Sequence, residues 1–211
     1  MKILHVITSL QTGGAEKLVS EIVPAFRAMG HEVDVALFNG VDCPFKKELE
    51  KTNCKIISFS EGGSVYSIKR FFQLLRIAKN YDIIHTHNSA PQYIAALVSI
   101  FVSAKYITTE RNTTNRRREW KWYPGFIDRW MYGRYSNVIC ISDKAYDNLV
   151  AFLGKKFPVN RIVTIYNGVN IERFISAQPI QRAAISSTST NKSVITMVAG
   201  FRPQKDQDTL I

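Results

Sequence analysis

KILHVITSLQTGGAEKLVSEIVPAFRAMGHEVDVALF (residues 2–38) is the stretch whose reading decides the fold. Its first apolar run, Ile3–Thr8, predicts a short strand. Apolar residues then recur at 15, 18, 19, 22, 23, 26 and 29, the spacing of one helix face, over Ala15–Met29. Gly30 follows in the position that favours a left-handed helix stop. HEVDVALF then reads as a second strand. A strand, a helix of this length and another strand make a crossover unit, in which the two strands run parallel.

The same alternation continues outward. PFKKELEKT reads as a short helix and CKIISF as a strand. SVYSIKRFFQLLRIAKNY reads as a helix with apolar positions at 68, 71, 72, 75 and 78. DIIHTH is a strand, 91–103 a helix, KYITTE a strand and NVICIS another. DKAYDNLVAFLG is a helix stopped by Gly154, and RIVTIY is a seventh strand. Strands such as VICI are apolar throughout, as burial on both faces requires. The expected fold class is therefore α/β, a Rossmann-like parallel sheet of about seven strands with helices on both faces. The Ser/Thr-rich stretch AAISSTSTNKS (183–193) reads as a linker or exposed loop. The apolar run Val194–Ala199 after it reads as a new strand leading through a turn, the opening of a second domain.

The length of 211 residues fits one α/β domain of roughly 150–180 residues plus an extra piece. Cys43, Cys54 and Cys140 lie far apart without a C-x-x-C, which argues against a disulfide scaffold or zinc and for a reducing compartment. MKILHVITSL carries no small-residue cleavage site after its apolar run, so it reads as a strand and not a signal peptide. YIAALVSIFVSA (93–104) is the longest apolar run, and it falls short of the roughly twenty residues a bilayer span needs. The net charge of +11 favours polyanionic partners: nucleic acid, anionic lipid or phosphorylated ligands.

Four stretches could carry chemistry. SLQTGGAEKL places Gly13 and Gly14 between the first strand and first helix. There the free N–H groups and positive dipole end of the helix could face an anion. A tight turn needing glycine for its backbone angles explains the pair equally well. The G-x-G-x-x-G dinucleotide fingerprint and the Walker lysine are both missing. DIIHTH puts His85 and His87 on one side of a strand. His87 lies at the carboxyl end, where open α/β sheets bind ligands, and could hydrogen-bond a sugar hydroxyl or move a proton. His85 reads as a satisfied core histidine, with a metal pair as the alternative. TERNTTNRRREWKWYPGFIDRWMYGRY holds seven basic and three acidic residues between Glu110 and Arg134, interleaved with aromatics. That pattern suits an anionic membrane surface or a single-stranded nucleic-acid platform. It also suits a helix burying Trp122, Phe126 and Trp130 against the sheet. IYNGVNIERF (165–174) reads as a loop with an Asn-Gly turn.

Taken in order, GGAE after strand one, DIIHTH ending strand four, ICISD opening a helix, NGVNIERF and the closing VAGFRPQKDQDTLI resemble the family 4 glycosyltransferases of the two-domain GT-B type. The resemblance covers nearly the whole chain. It implies that residues 1–175 are the acceptor-side Rossmann-like N-terminal domain and 176–193 a linker or loop. Residues 194–211 would then be the first strand and turn of a truncated nucleotide-sugar domain. It further implies a retaining transfer from a nucleotide diphosphate sugar to a hydroxyl acceptor, with no cofactor and no obligatory metal. Gly13, Gly14 and Lys205 match the family's donor-phosphate positions, and His87 matches the residue near the reacting sugar. Two departures stand out: Ala199 and Gly200 align with the family's G-R pair, leaving Arg202 offset, and TERN replaces the commoner Thr-x-His.

The combined expectation is a cytoplasmic glycosyltransferase building a surface glycan or lipid-linked oligosaccharide, peripheral on the inner face of the membrane. Arg111, Arg116, Arg117, Arg118, Trp120 and Trp122 would touch the acceptor or an anionic membrane surface. The isolated 211-residue chain is expected to be inactive. The rivals are a non-catalytic acceptor- or membrane-binding domain and a basic nucleic-acid-binding domain. The latter is disfavoured because no RNP, KH or helix-turn-helix pattern occurs.

Overall fold

Seven parallel strands build one sheet in the order β3-β2-β1-β4-β5-β6-β7. The computed structural model describes residues 1–111, 125–178, 196–199 and 206–209. The strands are β1 (Lys2–Ile7), β2 (Glu32–Leu37), β3 (Ile56–Ser58), β4 (Ile83–His87), β5 (Lys105–Glu110), β6 (Asn137–Cys140) and β7 (Ile162–Thr164). The helices are α1 (Gly14–Ala28), α2 (Pro44–Glu50), α3 (Ile68–Ala78), α4 (Ser89–Val98), α5 (Gly125–Gly133), α6 (Asp143–Leu153) and α7 (Ile171–Ile175). The chain divides into two compact units, Met1–Asn167 and Gly168–Ile211, and the whole sheet lies in the first.

Two-sided burial explains the strand composition. Side chains alternate across the sheet. Ile3, Ile7, Val33, Val35 and Leu37 pack with Val19 and Val23 of α1. Leu4, Val6, Ala36, Ile84, Tyr106 and Val138 pack on the opposite face with Leu74 of α3, Ile94 of α4 and Leu149 of α6. The topology reverses between β1 and β4: the chain first moves one way through β2 and β3, then returns to β1's other side. At such a switch point the loops leaving neighbouring strands diverge and open a crevice at the carboxyl ends.

Several sequence expectations are corrected. On α3 the apolar count at 68, 71, 72, 75 and 78 predicts the buried stripe, yet Ile68 and Phe72 are exposed while Arg70, Leu74 and Ala78 are buried. Arg70 turns inward because its guanidinium has acceptors there: Phe59 O at 3.3 Å, Gln73 Oε1 at 3.0 Å and the Ser60 hydroxyl. On α5 the expected Phe126–Trp130 face is also turned outward, with Phe126 68% and Trp130 41% exposed. Trp122 lies outside the described residues. The inward face is Asp128, Met131 and Tyr132, drawn in by hydrogen bonds from Tyr93 to Asp128 and from Tyr132 to Glu110. The helix expected at 91–103 starts at Ser89 and ends at Val98, leaving Ile100 and Phe101 in an exposed turn. NGVNIERF contains the short helix α7, not a plain loop. Of the strand expected at 194–199, residues 196–199 are not extended into a ladder, and Gln207–Thr209 form a single 3-10 turn. The rest of that run and the turn after it lie outside the described residues.

Candidate functional site

The site grows from the carboxyl ends of β1, β4 and β5. The register pairs His5 with His85 across β1 and β4, and His87 with Thr109 across β4 and β5. Because side chains alternate, these residues stand on one face of the sheet, the face covered by α1. Three imidazoles thus converge. The ring centroids of His85 and His87 are 4.3 Å apart, and those of His5 and His87 5.3 Å apart and stacked.

Their hydrogen bonds fix the tautomers. Arg111 Nη2 lies 3.4 Å from His87 Nδ1. A guanidinium can only donate, so His87 Nδ1 accepts and its proton is on Nε2. That Nε2–H donates to His5 Nδ1 at 3.0 Å. His5 therefore carries its own proton on Nε2, and this buried N–H has no hydrogen-bond partner among the described residues. His85 Nε2 is satisfied by the Thr109 hydroxyl at 2.8 Å, as a core histidine should be.

Burial holds all three rings neutral. It lowers His5 to about 4 and drives His85 and His87 well below the usual imidazole value. The neighbouring histidines and the Arg111 charge push His87 the same way. His87 sits at the carboxyl rim, as its place in DIIHTH predicts, but it is fully buried. Arg111 lies against it, with its Nε buried and without a hydrogen-bond partner among the described residues. The three imidazoles have ligand atoms within 4.8 Å of one another and are in the right protonation state to ligate a metal. A cation there would have to displace the His87–His5 proton and sit against Arg111, with no carboxylate in the group to offset the charge.

The Gly13–Gly14 turn ends on the same rim, because α1 starts where β1 finishes. Gly13 is extended (φ −179°) and neither glycine has positive φ, so backbone angles alone do not require glycine here. A Cβ on Gly13 would overlap the Glu16 carboxylate, which folds back over the turn at the helix N-terminus, whereas a Cβ on Gly14 meets open space. Glu16 also offsets part of the burial penalty on Arg111. The helix end thus already hosts an anion of the protein's own, near the half-buried Arg111 guanidinium.

Asn88 completes the rim. It is in the left-handed region (φ 69°), a conformation asparagine tolerates better than most residues, and its Oδ1 accepts from Thr8 N at 3.4 Å, tying the end of β4 to the end of β1. Glu110 ends β5 on the opposite face, where the Tyr132 hydroxyl donates to it. Lys205, Arg116, Arg117, Arg118, Trp120 and Trp122 lie outside the described residues.

The family 4 glycosyltransferase profile matches residues 12–173, from the Gly-Gly turn through the Asn-Gly segment. The chain belongs to glycosyltransferase family 4. Solved structures share its fold. HepE from Anabaena in complex with UDP-glucose superposes with a TM-score of 0.65 at 21% identity, over 82% of this chain and 45% of HepE. The lipopolysaccharide outer core galactosyltransferase WaaB in its apo form gives 0.60 at 15%, over 81% and 47%. The UDP-GlcNAc 2-epimerase from Neisseria meningitidis bound to UDP-GlcNAc gives 0.55 at 11%, over 78% and 45%. The family 4 chain therefore spans less than half the length of these proteins. No curated protein sequence matches it. A fold shared by transferases and an epimerase does not choose between those reactions. Among the described residues, no helix is long and apolar enough to cross a membrane.

Sequence reasoning finds His87, Gly13, Gly14 and Arg111, and the structure gathers these four on one rim. It misses His5, Glu16 and Asn88. A lone histidine inside an apolar strand looks like core until the register with His85 is known. Glu16 was legible as the fourth residue of GGAE, three residues after the turn, where a carboxylate can reach back to the helix end.

Proposed function

We propose that this family 4 chain supplies the acceptor-side lobe of a retaining glycosyltransferase. The enzyme moves a sugar from a nucleotide diphosphate sugar to a hydroxyl acceptor. One observation carries the reading: a helix N-terminus, a Gly-Gly turn, a half-buried arginine and a neutral histidine meet at the carboxyl rim of a family 4 sheet. As the glycosidic bond to the donor breaks, negative charge gathers on the departing diphosphate. Arg111 and the α1 N-terminus would stabilise that charge once the ligand displaces the Glu16 carboxylate. As the diphosphate draws Arg111 away from His87, the His87 ring is uncovered and its Nδ1 lone pair becomes free to accept from a sugar hydroxyl. His5, by accepting from Nε2, holds that tautomer in place. The kinship of fold with HepE holding UDP-glucose supports a nucleotide sugar partner, and that with WaaB supports a surface glycan or lipid-linked oligosaccharide as the product.

In this reading residues 194–211, including Lys205, open a nucleotide-sugar lobe, and the 211-residue chain alone transfers no sugar. The protein works in the cytoplasm, on the inner face of the membrane. The segment bearing Arg116, Arg117, Arg118, Trp120 and Trp122 meets the acceptor or anionic lipid.

The test joins this lobe to the nucleotide-sugar lobe of another family 4 enzyme. The chimera is then supplied with radiolabelled nucleotide diphosphate sugars and a membrane lipid extract. Transfer with retention of the anomeric configuration is expected, falling at least about a hundredfold in His87→Ala. Inverted product, or transfer unaffected by His87→Ala, would refute the assignment. Transfer above background by the 211-residue chain would refute its inactivity.

A further inference from the structure

We propose that the exposed aromatic face joining α3 to the turn after α4 is a docking surface for an anionic lipid bilayer. This deepens the membrane part of the proposed function and rests on it, but places the contact on residues outside the basic segment at 116–122.

The face is contiguous. Ile68 is 67% exposed, Phe72 61%, Ile100 53% and Phe101 67%. Phe71 links the two helices, meeting Phe72 edge-on at 5.2 Å and Phe101 edge-on at 5.8 Å. Singly scattered apolar residues are normal on a surface, but an aromatic cluster continuous across two elements marks a contact. The sequence reading places Phe72 and Ile68 inside. The structure turns them out because Arg70 takes the inward position.

Among the described residues, the charged side chains carried by α3 itself are all basic. Lys69 and Arg76 are exposed on α3, Lys79 caps its end, and Lys105 opens β5 after the α4 turn. Arg134 is pinned beside Ile100, donating from Nη2 to Ser99 O at 2.8 Å and from Nε to Ser99 Oγ at 2.9 Å. Between Ser64 and Lys105 the sequence holds one acidic residue, Asp82, and its carboxylate accepts from the Lys2 amide at 2.7 Å. Aromatic and aliphatic side chains rimmed by lysine and arginine match a bilayer, where rings enter the acyl boundary and cations meet anionic headgroups. A second copy placed face to face would bring like charges together, which disfavours a symmetric dimer through this surface.

The experiment is co-sedimentation of the purified protein with phosphatidylcholine vesicles, with and without phosphatidylglycerol. Wild type is expected to bind the anionic vesicles and to release them as salt rises. Phe72→Ser with Phe101→Ser should weaken binding about tenfold or more with an unchanged circular dichroism spectrum, because both side chains are already exposed. Lys69→Glu with Arg76→Glu should do the same. Wild-type binding that both pairs leave intact would overturn this face, and loss on neutralising Arg116–Arg118 would then place the anchor there. No binding of wild type to either vesicle would overturn the membrane reading as well. Concentration-dependent dimerisation, abolished by the Phe72 and Phe101 changes without vesicle binding, would make a second copy the occupant and overturn the proposal.

Discussion

Acid should destabilise this fold through its histidines, and His5 allows the size of the effect to be worked out. Free histidine titrates near 6.5, and burial lowers His5 to about 4. The folded ring is depressed, so between those values the unfolded chain binds a proton that the folded chain refuses. Stability is therefore full above about pH 6.5 and falls as pH drops towards 4. Each proton contributes about 1.4 kcal/mol per pH unit, so His5 alone accounts for an order-of-magnitude loss of about 3 kcal/mol across the window. His85 and His87 act in the same direction. Asp128, raised by burial to about 6, acts the other way over part of the range, so the wild-type curve alone does not isolate the histidines. His5→Gln does. Glutamine keeps an acceptor for the His87 Nε2–H and removes one titrating ring. Urea unfolding followed by circular dichroism from pH 4.5 to 7.5 should give a stability-versus-pH slope shallower by about one proton in the variant, whatever its constant offset. Parallel curves for the two proteins would refute the claim that His5 is buried neutral against its neighbours.

Three further outcomes follow from the same geometry. Gly14→Ala meets open space in a helical position without positive φ, so its stability in thermal denaturation should equal wild type or exceed it by up to about 1 kcal/mol; a clear loss would show that the turn requires glycine for its shape. Glu16→Gln should cost about 0.3–1 kcal/mol at low salt, because the charge at the α1 N-terminus and near Arg111 is removed, and the difference should shrink in high salt. Tyr135→Phe should cost about 1–3 kcal/mol in chemical denaturation, since its fully buried hydroxyl donates to Gln92 O at 2.7 Å and meets Thr86 Oγ1 at 3.1 Å; a neutral change would show that those partners find each other without it.

The seven strands were legible because parallel strands buried on both faces must be apolar, and crossover helices must be amphipathic. Helix faces were less legible where a polar side chain had a buried partner. Arg70 rotates α3 and Asp128 with Tyr132 rotates α5, and counting apolar residues cannot see acceptors supplied by Phe59 or Glu110, or a donor supplied by Tyr93. The rim was half legible. His87 and the Gly-Gly turn announce themselves by their place at strand ends, while His5 acquires meaning only when β1 and β4 pair.

The sequence by itself determined the parallel sheet, the seven strands in chain order and the family, because period, turn residues and motif order are local properties of the chain. Tertiary structure alone decided that β1 lies beside β4 and not β3, which brings His5 against His87. It also decided that Glu16 shares the rim with Arg111, and that Phe72 and Phe101 face outward together. These are contacts between residues far apart in the chain or on separate elements. They are set by strand order and by which buried hydrogen bonds are satisfied, neither of which is written in local spacing.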